Sequence, residues 1–183
     1  MKLTAIKRFS LAGLTCLAMA GSANAMEAQI GLHYADFDDF DDGFGVSGSI
    51  ESLDFLPQLR LGGEFSSVEY LDVLRFSAGW VLDMDELEID LGYSYRYWDF
   101  EGDFDEDIYS LHAKVQYSVL PELHLRGSLE FAIFDHLDDE TAIIGVGAAY
   151  DITPEFSLGL DVEVYEADFV DQTFIRFGAS YHF

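Results

Sequence analysis

Apolar and polar residues alternate with a period of two through most of the chain after residue 26, and turn-forming residues interrupt this pattern at regular intervals. Strict alternation indicates β-strands whose two faces meet different surroundings. The interruptions are of two kinds that follow one another in turn. Short ones lie at 56–58, 83–86, 120–122 and 153–155, and longer acidic ones lie at 36–43, 100–107, 135–140 and 166–172. This punctuation predicts a meander of antiparallel strands.

The number of strands depends on one further interruption near 68–71, where the turn signal is the weakest of the set. With it, the sequence predicts ten strands; without it, the preference of bacterial membrane barrels for even numbers favours eight. The expected spans are 28–36, 44–55, 59–67, 72–83, 87–99, 108–119, 123–134, 141–152, 156–165 and 173–183. Most of them reach the ~9–11 residues that a tilted strand needs to cross a bilayer.

The two faces of the predicted strands differ sharply in charge. In the strand expected at 87–99, the odd positions from 87 to 97 are Leu, Ile, Leu and three Tyr, whereas Glu88, Asp90 and Arg96 lie on the even face. Across the last six strands the first face carries no charged residue at all, although charged residues make up 24% of the chain. The two faces must therefore contact two different media.

The uncharged face either fills a soluble barrel or faces lipid, because alternation alone does not separate inside from outside. It carries more large side chains than the interior of an eight- or ten-stranded barrel can hold. Aromatic residues also gather toward strand ends, as interfacial girdles do: Tyr34, Phe65, Trp80, Tyr97, Tyr109, Tyr117, Phe131, Tyr150, Phe156 and Tyr181. We therefore predict an all-β, transmembrane, antiparallel up-and-down β-barrel with short periplasmic turns and acidic extracellular loops.

Residues 1–25 have the layout of a secretory signal peptide. A basic segment is followed by an apolar stretch at 9–20 and by a small-x-small cleavage site at 23–25. The apolar stretch is shorter than the ~20 residues of a membrane-spanning helix. The only cysteine, Cys16, lies in this leader; lipid attachment there is disfavoured because a threonine precedes it. The barrel domain is expected to span residues 26–183.

The charge of the chain excludes one class of partner. The formal net charge is −26, and it becomes −29 without the leader, which contains three basic residues and no acidic one. Such a chain repels nucleic-acid phosphates, so we expect no nucleic-acid binding. An aromatic content of 15% also argues against disorder, despite the acidity.

The leader, the alternating strands and the final residues 178–183, GASYHF, resemble the small bacterial outer-membrane β-barrels of the OmpA/OmpX-like superfamily. The resemblance covers the whole predicted mature chain and implies export to the cell outer membrane, with lipid and lipopolysaccharide as surroundings. In that group, a terminal strand with apolar residues at alternate positions and a final Phe is read by the barrel-assembly machinery. The matching residues are Ile175, Phe177, Tyr181 and Phe183.

All basic residues after the leader fall on the inward face of the predicted strands: Arg60, Arg75, Arg96, Lys114, Arg126 and Arg176. The inward acidic residues include Glu51, Glu64, Glu88, Asp90, Glu130, Asp161 and Glu163. Interleaved charges of both signs predict a salt-bridge network that fills a narrow lumen, with a polar channel lining as the alternative. A hairpin centred on Pro121 places Gln116 opposite Arg126 and His112 opposite Glu130, with Lys114 diagonal to Glu130.

The acidic loops have two interpretations. The first is a solvated, mutually repelling rim; the second is capture of divalent cations by clustered carboxylates. The loop candidates are Asp38, Asp39, Asp41 and Asp42, although Phe40 stands where an EF-hand loop requires a ligand. No other metal or cofactor site is expected.

The sequence offers no convincing catalytic constellation. The strand serines lie mainly inward, whereas lipid A deacylases need a Ser activated by a His at the outer end of a strand. Asp135 and His136, with Asp138 and Asp139, share residue types with omptin proteases but lie together in one short loop. The sequence therefore predicts a non-catalytic membrane barrel, structural or interacting through its acidic loops. The alternative is a narrow porin-like channel for ions or small solutes.

Overall fold

The protein forms a closed barrel of ten antiparallel strands. The computed structural model describes residues 27–37, 41–51, 56–101, 104–137, 139–167 and 170–183. The strands are β1 (Glu27–Phe37), β2 (Asp41–Glu51), β3 (Leu59–Val68), β4 (Leu71–Met84), β5 (Leu87–Phe100), β6 (Asp105–Leu120), β7 (Leu123–Phe134), β8 (Asp139–Thr153), β9 (Phe156–Ala167) and β10 (Val170–His182). No helix in the described part of the chain is long and apolar enough to cross a membrane.

Each strand pairs with its neighbours in sequence, and β1 pairs with β10 to close the sheet. The weakest predicted break is real: Glu69 and Tyr70 form a turn between β3 and β4, and Val68 pairs with Leu71 beside it. Because this turn separates β3 from β4, the barrel has ten strands and not the alternative of eight. We call the end of the barrel with the connections at 85–86, 121–122 and 154–155 the turn end, and the opposite one the loop end.

Several strands reach further toward the loop end than their alternation predicts. β6 begins at Asp105 instead of residue 108, and β2 spans Asp41–Glu51 instead of 44–55. Residues 52–55 lie outside the described part of the chain. The acidic segments interrupt the alternation, which predicts loops there. A ladder can nevertheless continue into water, where it gains backbone hydrogen bonds while its carboxylates stay solvated.

The uncharged face points away from the barrel axis, as the sequence predicts. Leu111 and Val146, for example, are 65% and 61% exposed on this surface. The aromatic residues expected at strand ends are largely exposed there as well, including Trp80 at 43% and Tyr150 at 53%. Phe65 is an exception: it is buried, and nothing in the described structure explains this burial.

The interior contains an apolar layer at the loop end that the sequence analysis did not predict. Its centre is Trp98, whose ring lies 5.5 Å from that of Tyr165 and 6.0 Å from that of Phe134. The other buried members are Ala35, Val68, Leu71, Val73, Ile108, Ala132, Ile143 and Phe174. We call this set the aromatic layer. It occupies the inward face of most strands just below the loops.

Candidate functional site

The middle of the lumen holds an ionic cluster of three arginines and three glutamates. Its members are Arg75, Arg96, Arg176, Glu64, Glu130 and Glu163. We call it the Arg–Glu cluster. Its charges balance, which is the condition under which charged groups can be removed from water without leaving one unpaired. The ion pairs run across the barrel and not only between neighbouring strands.

Glu163 on β9 is the centre of the cluster. Its carboxylate lies 2.5 Å from Arg176 Nη2, 3.2 Å from Arg75 Nη1 and 3.8 Å from Arg96 Nη2. The hydroxyl of Tyr165 also donates to it, over 3.1 Å. Because three cations from three strands converge on one carboxylate, Glu163 connects opposite walls of the barrel.

Glu130 on β7 is the second acceptor of the cluster. It is paired with Arg75 and lies 2.8 Å from Arg96 Nη2. Arg75 contacts Oε1, and the hydroxyls of Ser94 and Ser110 donate to Oε2, the oxygen that Arg96 approaches, over 3.1 and 3.0 Å. This buried carboxylate therefore has partners on both oxygens, as burial of a charge requires.

Tyr165 joins the Arg–Glu cluster to the aromatic layer. Its hydroxyl bonds Glu163, its ring packs against Trp98, and the guanidinium of Arg96 lies 5.7 Å from the ring centroid. The two layers thus form one continuous partition across the lumen, ionic on the turn side and apolar on the loop side.

A water-accessible cavity of about 730 Å³ occupies the lumen on the turn side of this partition. We call it the vestibule. Its mouth is lined by residues near the turn-end limits of the strands, such as Glu27 in β1, Asp151 in β8 and His182 in β10. Arg60 on its wall contacts Glu51 at 2.5 Å and Glu88 at 2.8 Å.

Glycines on neighbouring strands make room for the charged side chains of the vestibule. An added Cβ at Gly79 would collide with the carboxylate of Asp90, and one at Gly147 would collide with that of Asp161. One at Gly159 would lie 2.7 Å from Arg126 Nη2. The high glycine content of the inward face therefore reflects close contact between charged side chains and the backbone of the adjacent strand.

The structure brings the residues of the predicted charge network into two groups. Arg75, Arg96, Arg176, Glu64, Glu130 and Glu163 meet in the Arg–Glu cluster, and Arg60, Glu88, Asp90, Arg126 and Asp161 form pairs in the vestibule. The strand register places Gln116 opposite Arg126 and His112 opposite Glu130, as the Pro121 hairpin predicts. Lys114, which was also predicted to belong to the charge network, forms no ion pair with the described residues. None of their carboxylate oxygens lies within 4.0 Å of its ammonium group.

A hydrogen-bonded Ser–His–Asp chain at the vestibule mouth was not predicted. Ser118 Oγ lies 2.9 Å from His124 Nδ1, and His124 Nε2 lies 2.9 Å from Asp151 Oδ2. The register could have indicated it, because Ser118 and His124 face each other beside the Pro121 turn. Its ring orientation is the reverse of that in serine proteases, where Nε2 faces the serine and Nδ1 faces the acid.

The chain matches the family described as outer membrane protein β-barrel domain over residues 9–183. It belongs to this family of outer-membrane β-barrels. The protein is therefore an integral protein of the bacterial outer membrane, and the uncharged outer face of its strands contacts lipid. No curated protein matches the chain.

Solved structures with the same architecture have low sequence identity to this barrel. The KdgM porin is 16% identical, with 85% of this chain and 99% of that chain covered and a TM-score of 0.53. Ail of Yersinia pestis in a phospholipid bilayer nanodisc is 17% identical, with 87% and 100% covered and a TM-score of 0.46. The N-terminal barrel of Pseudomonas aeruginosa OprF is 15% identical, with 86% and 97% covered and a TM-score of 0.44. These likenesses concern the fold.

The residues of the expected assembly signal lie on the lipid-facing side of β10. Phe177, Tyr181 and Phe183 are exposed, and the rings of Tyr181 and Phe183 pack edge to face at 4.9 Å. Ile175 is also exposed, at 37%. The backbone N–H of Phe183 donates to Ala28, so this strand also seals the barrel.

The structure describes only some of the loop aspartates that were predicted as metal ligands. Asp38 and Asp39 and the side chain of Asp41 lie outside the described residues, while Asp42 is exposed in β2. Within the described ranges, no group of three or more His, Cys, Asp or Glu residues is placed to hold a metal ion. In the loop that contains Asp135 and His136, the N–H of His136 donates to the carboxylate of the buried Glu106 at 3.0 Å. This hydrogen bond fixes the loop end of β7.

Proposed function

We propose that the protein is a closed, non-catalytic outer-membrane barrel that does not conduct ions and acts through its surfaces. The observation that carries this is the two-layer partition of the lumen. An ion that crosses the barrel would have to break the Arg–Glu cluster and then pass the aromatic layer around Trp98, which is 1% exposed. Both steps cost more than transfer through a water-filled pore.

A narrow channel for ions or small solutes is the second candidate. The vestibule favours it, because this cavity already opens the turn side of the lumen to water. Single-channel recording in planar bilayers separates the two functions. The closed barrel predicts no discrete conductance steps from the purified, folded protein, whereas reproducible steps of one size would establish the channel and reject the closed barrel.

The absence of catalysis is part of the same proposal. The reversed orientation of His124 supports it, because Nδ1 and not Nε2 faces Ser118. A fluorophosphonate probe, which labels activated serines, should leave the folded protein unmodified. Labelling of Ser118 that disappears in a His124→Ala variant would show a hydrolytic site and overturn this part.

We infer that divalent cations join the loop end of the barrel to lipopolysaccharide phosphates. Asp72, Asp99 and Asp105 lie directly opposite one another on three adjacent strands, where like charges repel. All basic residues beyond the leader belong to the predicted inward set, so the outer surface offers phosphate groups only carboxylates and polar groups. A Mg²⁺ or Ca²⁺ ion bound between single carboxylates of this row and lipopolysaccharide phosphates would relieve both repulsions.

Thermal unfolding in vesicles with and without lipopolysaccharide tests this bridge. Mg²⁺ should raise the melting temperature only when lipopolysaccharide is present, and an Asp99→Asn variant should gain less. Equal melting temperatures in Mg²⁺ and in chelator would remove the bridge from the proposal. Export through the leader at 1–25 and recognition of β10 by the assembly machinery complete the proposed route to the membrane.

A further inference from the structure

Four inward side chains on β6 and β7 form a compact group on the vestibule wall. The register places Lys114 directly opposite Ser128 and Gln116 directly opposite Arg126. All four side chains line the vestibule. Because inward positions two apart on one strand are neighbours on that face, the group is a two-by-two patch. We call it the donor patch.

The hydrogen-bond donors of this patch are largely unused. Among the residues that the structure describes, the side chains of Lys114, Gln116 and Ser128 receive and donate no hydrogen bond, and Lys114 has no carboxylate within 4.0 Å. Arg126 uses only Nη2, which reaches Asp161 at 3.0 Å and the carbonyl of Ala148 at 3.2 Å. Its Nε is buried and has no partner.

Apart from Glu27 at its mouth, the carboxylates that line the vestibule, by contrast, already have partners among the described residues. Glu51 and Glu88 are held by Arg60, Asp151 by His124, and Asp161 by Arg126. The vestibule therefore has spare donors concentrated on one wall: the unpaired ammonium of Lys114, the amide of Gln116, the hydroxyl of Ser128 and Nη1 of Arg126, whose Nη2 alone is used. Lys and Arg present only donors, so the complementary group is an acceptor with negative charge.

We propose that the donor patch binds an oxyanion group, phosphate or carboxylate, of a small solute that enters the vestibule from the periplasm. The guanidinium of Arg126 presents a planar set of donors, and Lys114 adds a point charge beside it. The vestibule volume of about 730 Å³ is within the usual range of small-molecule sites. This binding goes beyond the closed-barrel function and does not require it, because a conducting barrel could hold the same anion.

Lys114 provides a direct probe, since it is the only lysine after the predicted leader. The mature protein, folded in a neutral detergent, is treated with a water-soluble amine reagent, and modification of Lys114 is followed by peptide mapping. Inorganic phosphate or succinate should slow this modification in a saturable way, whereas chloride at equal ionic strength should not. Protection by only one of the two would assign the ligand class.

Two arginine variants distinguish binding at the donor patch from an effect of the total charge of the vestibule. Arg126→Gln removes a patch cation and should weaken protection about tenfold or more, the usual effect of losing a charge-assisted hydrogen bond. Arg60→Gln removes one positive charge from the same vestibule, at a guanidinium whose Nε, Nη1 and Nη2 all donate to Glu51 or Glu88, and should leave the protection constant within a factor of about two. Each variant is first checked for folding by its heat-dependent mobility in electrophoresis.

If Arg126→Gln does not fold, Gln116→Leu tests the same patch by removal of a neutral donor, with an expected loss of about threefold to tenfold. The proposal is overturned if neither anion protects Lys114 at millimolar concentration. It is also overturned if Arg60→Gln weakens protection as much as the patch variant, because the effect would then report net charge alone.

Discussion

At the scale of single residues, the lumen is organised by carboxylates that each serve several cations. Glu163 is the clearest case, because arginines from β4, β5 and β10 approach its two oxygens. Its side chain is 7% exposed, so water cannot replace a missing partner. A buried pair is costly to break mainly because the remaining charge stays uncompensated.

We therefore expect Glu163→Gln to destabilise the barrel by about 3–5 kcal/mol, since it leaves three arginines around a neutral amide. The matched change is Glu88→Gln in the vestibule, where Arg60 keeps Glu51 and the side chain is 26% exposed. That variant should cost about 1 kcal/mol or less. Urea unfolding in vesicles measures both, and equal losses would contradict the central place given to Glu163.

Glycine positions show a second effect at this scale. A methyl group at Gly147 would overlap the carboxylate of Asp161 and lie 2.7 Å from the carbonyl of Leu160. At Gly63, on the outer face of β3, the nearest atom outside its own segment is 3.8 Å away, on Phe76. Only the first site is crowded, although both glycines lie within strands.

Gly147→Ala should therefore lower the free energy of unfolding by about 1–3 kcal/mol, the usual cost of overpacking. Gly63→Ala should leave it unchanged or raise it, because alanine reduces the freedom of the unfolded chain. The same unfolding measurement in vesicles compares the two variants. An unchanged free energy of unfolding in Gly147→Ala would show that Asp161 can move without destabilising the barrel.

At the scale of strands, alternation assigns each residue to lipid or lumen. Leu160 and Gly159 are adjacent on β9, yet Leu160 is 47% exposed on the outer surface while Gly159 lines the vestibule beside Arg126. A one-residue shift of register would exchange the two environments. The pair therefore tests the orientation of the whole strand.

Leu160→Arg should cost about 2–4 kcal/mol or block assembly, since it places a charge in hydrocarbon. Leu160→Met is the control and should be nearly neutral. Gly159→Arg is limited by contact with Arg126 instead, so its cost should fall when Arg126 is shortened to Ala, whereas that of Leu160→Arg should not. Equal tolerance of Arg at both positions would contradict the assignment of faces.

The strands also show how far sequence reasoning reaches. Alternation and the tight turns predict the ten strands, and the Pro121 turn predicts the facing pairs of β6 and β7, because these depend on local chemistry. The pairing of Arg75 with Glu163 or of Arg176 with Glu64 joins residues 88 and 112 positions apart. Such contacts depend on strand tilt and stagger around the barrel, which local pattern does not encode.

The aromatic layer escaped prediction for a related reason. Trp98, Phe134 and Tyr165 each occupy one inward position near the loop end of a different strand. Each lies at the end of an inward face that is otherwise mostly polar when its strand is considered alone. Only the relative position of the strands along the barrel axis shows that these residues lie in one layer. Comparing the last inward residue of each strand would have detected the layer from the sequence.

At the scale of the whole molecule, three media succeed one another along the lumen: water in the vestibule, balanced charge in the Arg–Glu cluster and hydrocarbon-like packing in the aromatic layer. The outer surface is apolar between two acidic rims. The proposal for a non-conducting barrel depends on the two inner layers, whereas the proposal for anion binding depends only on the vestibule.

The chain contains two tryptophans, and they report on this layout directly: Trp80 lies on the outer face and Trp98 in the aromatic layer. Fluorescence quenching is measured in vesicles on single-tryptophan variants, Trp98→Phe to observe Trp80 and Trp80→Phe to observe Trp98. Brominated lipid should quench Trp80, while Trp98 should resist both brominated lipid and iodide present on both sides of the membrane. Iodide quenching of Trp98 comparable to that of a free indole would show water throughout the lumen and contradict the closed barrel.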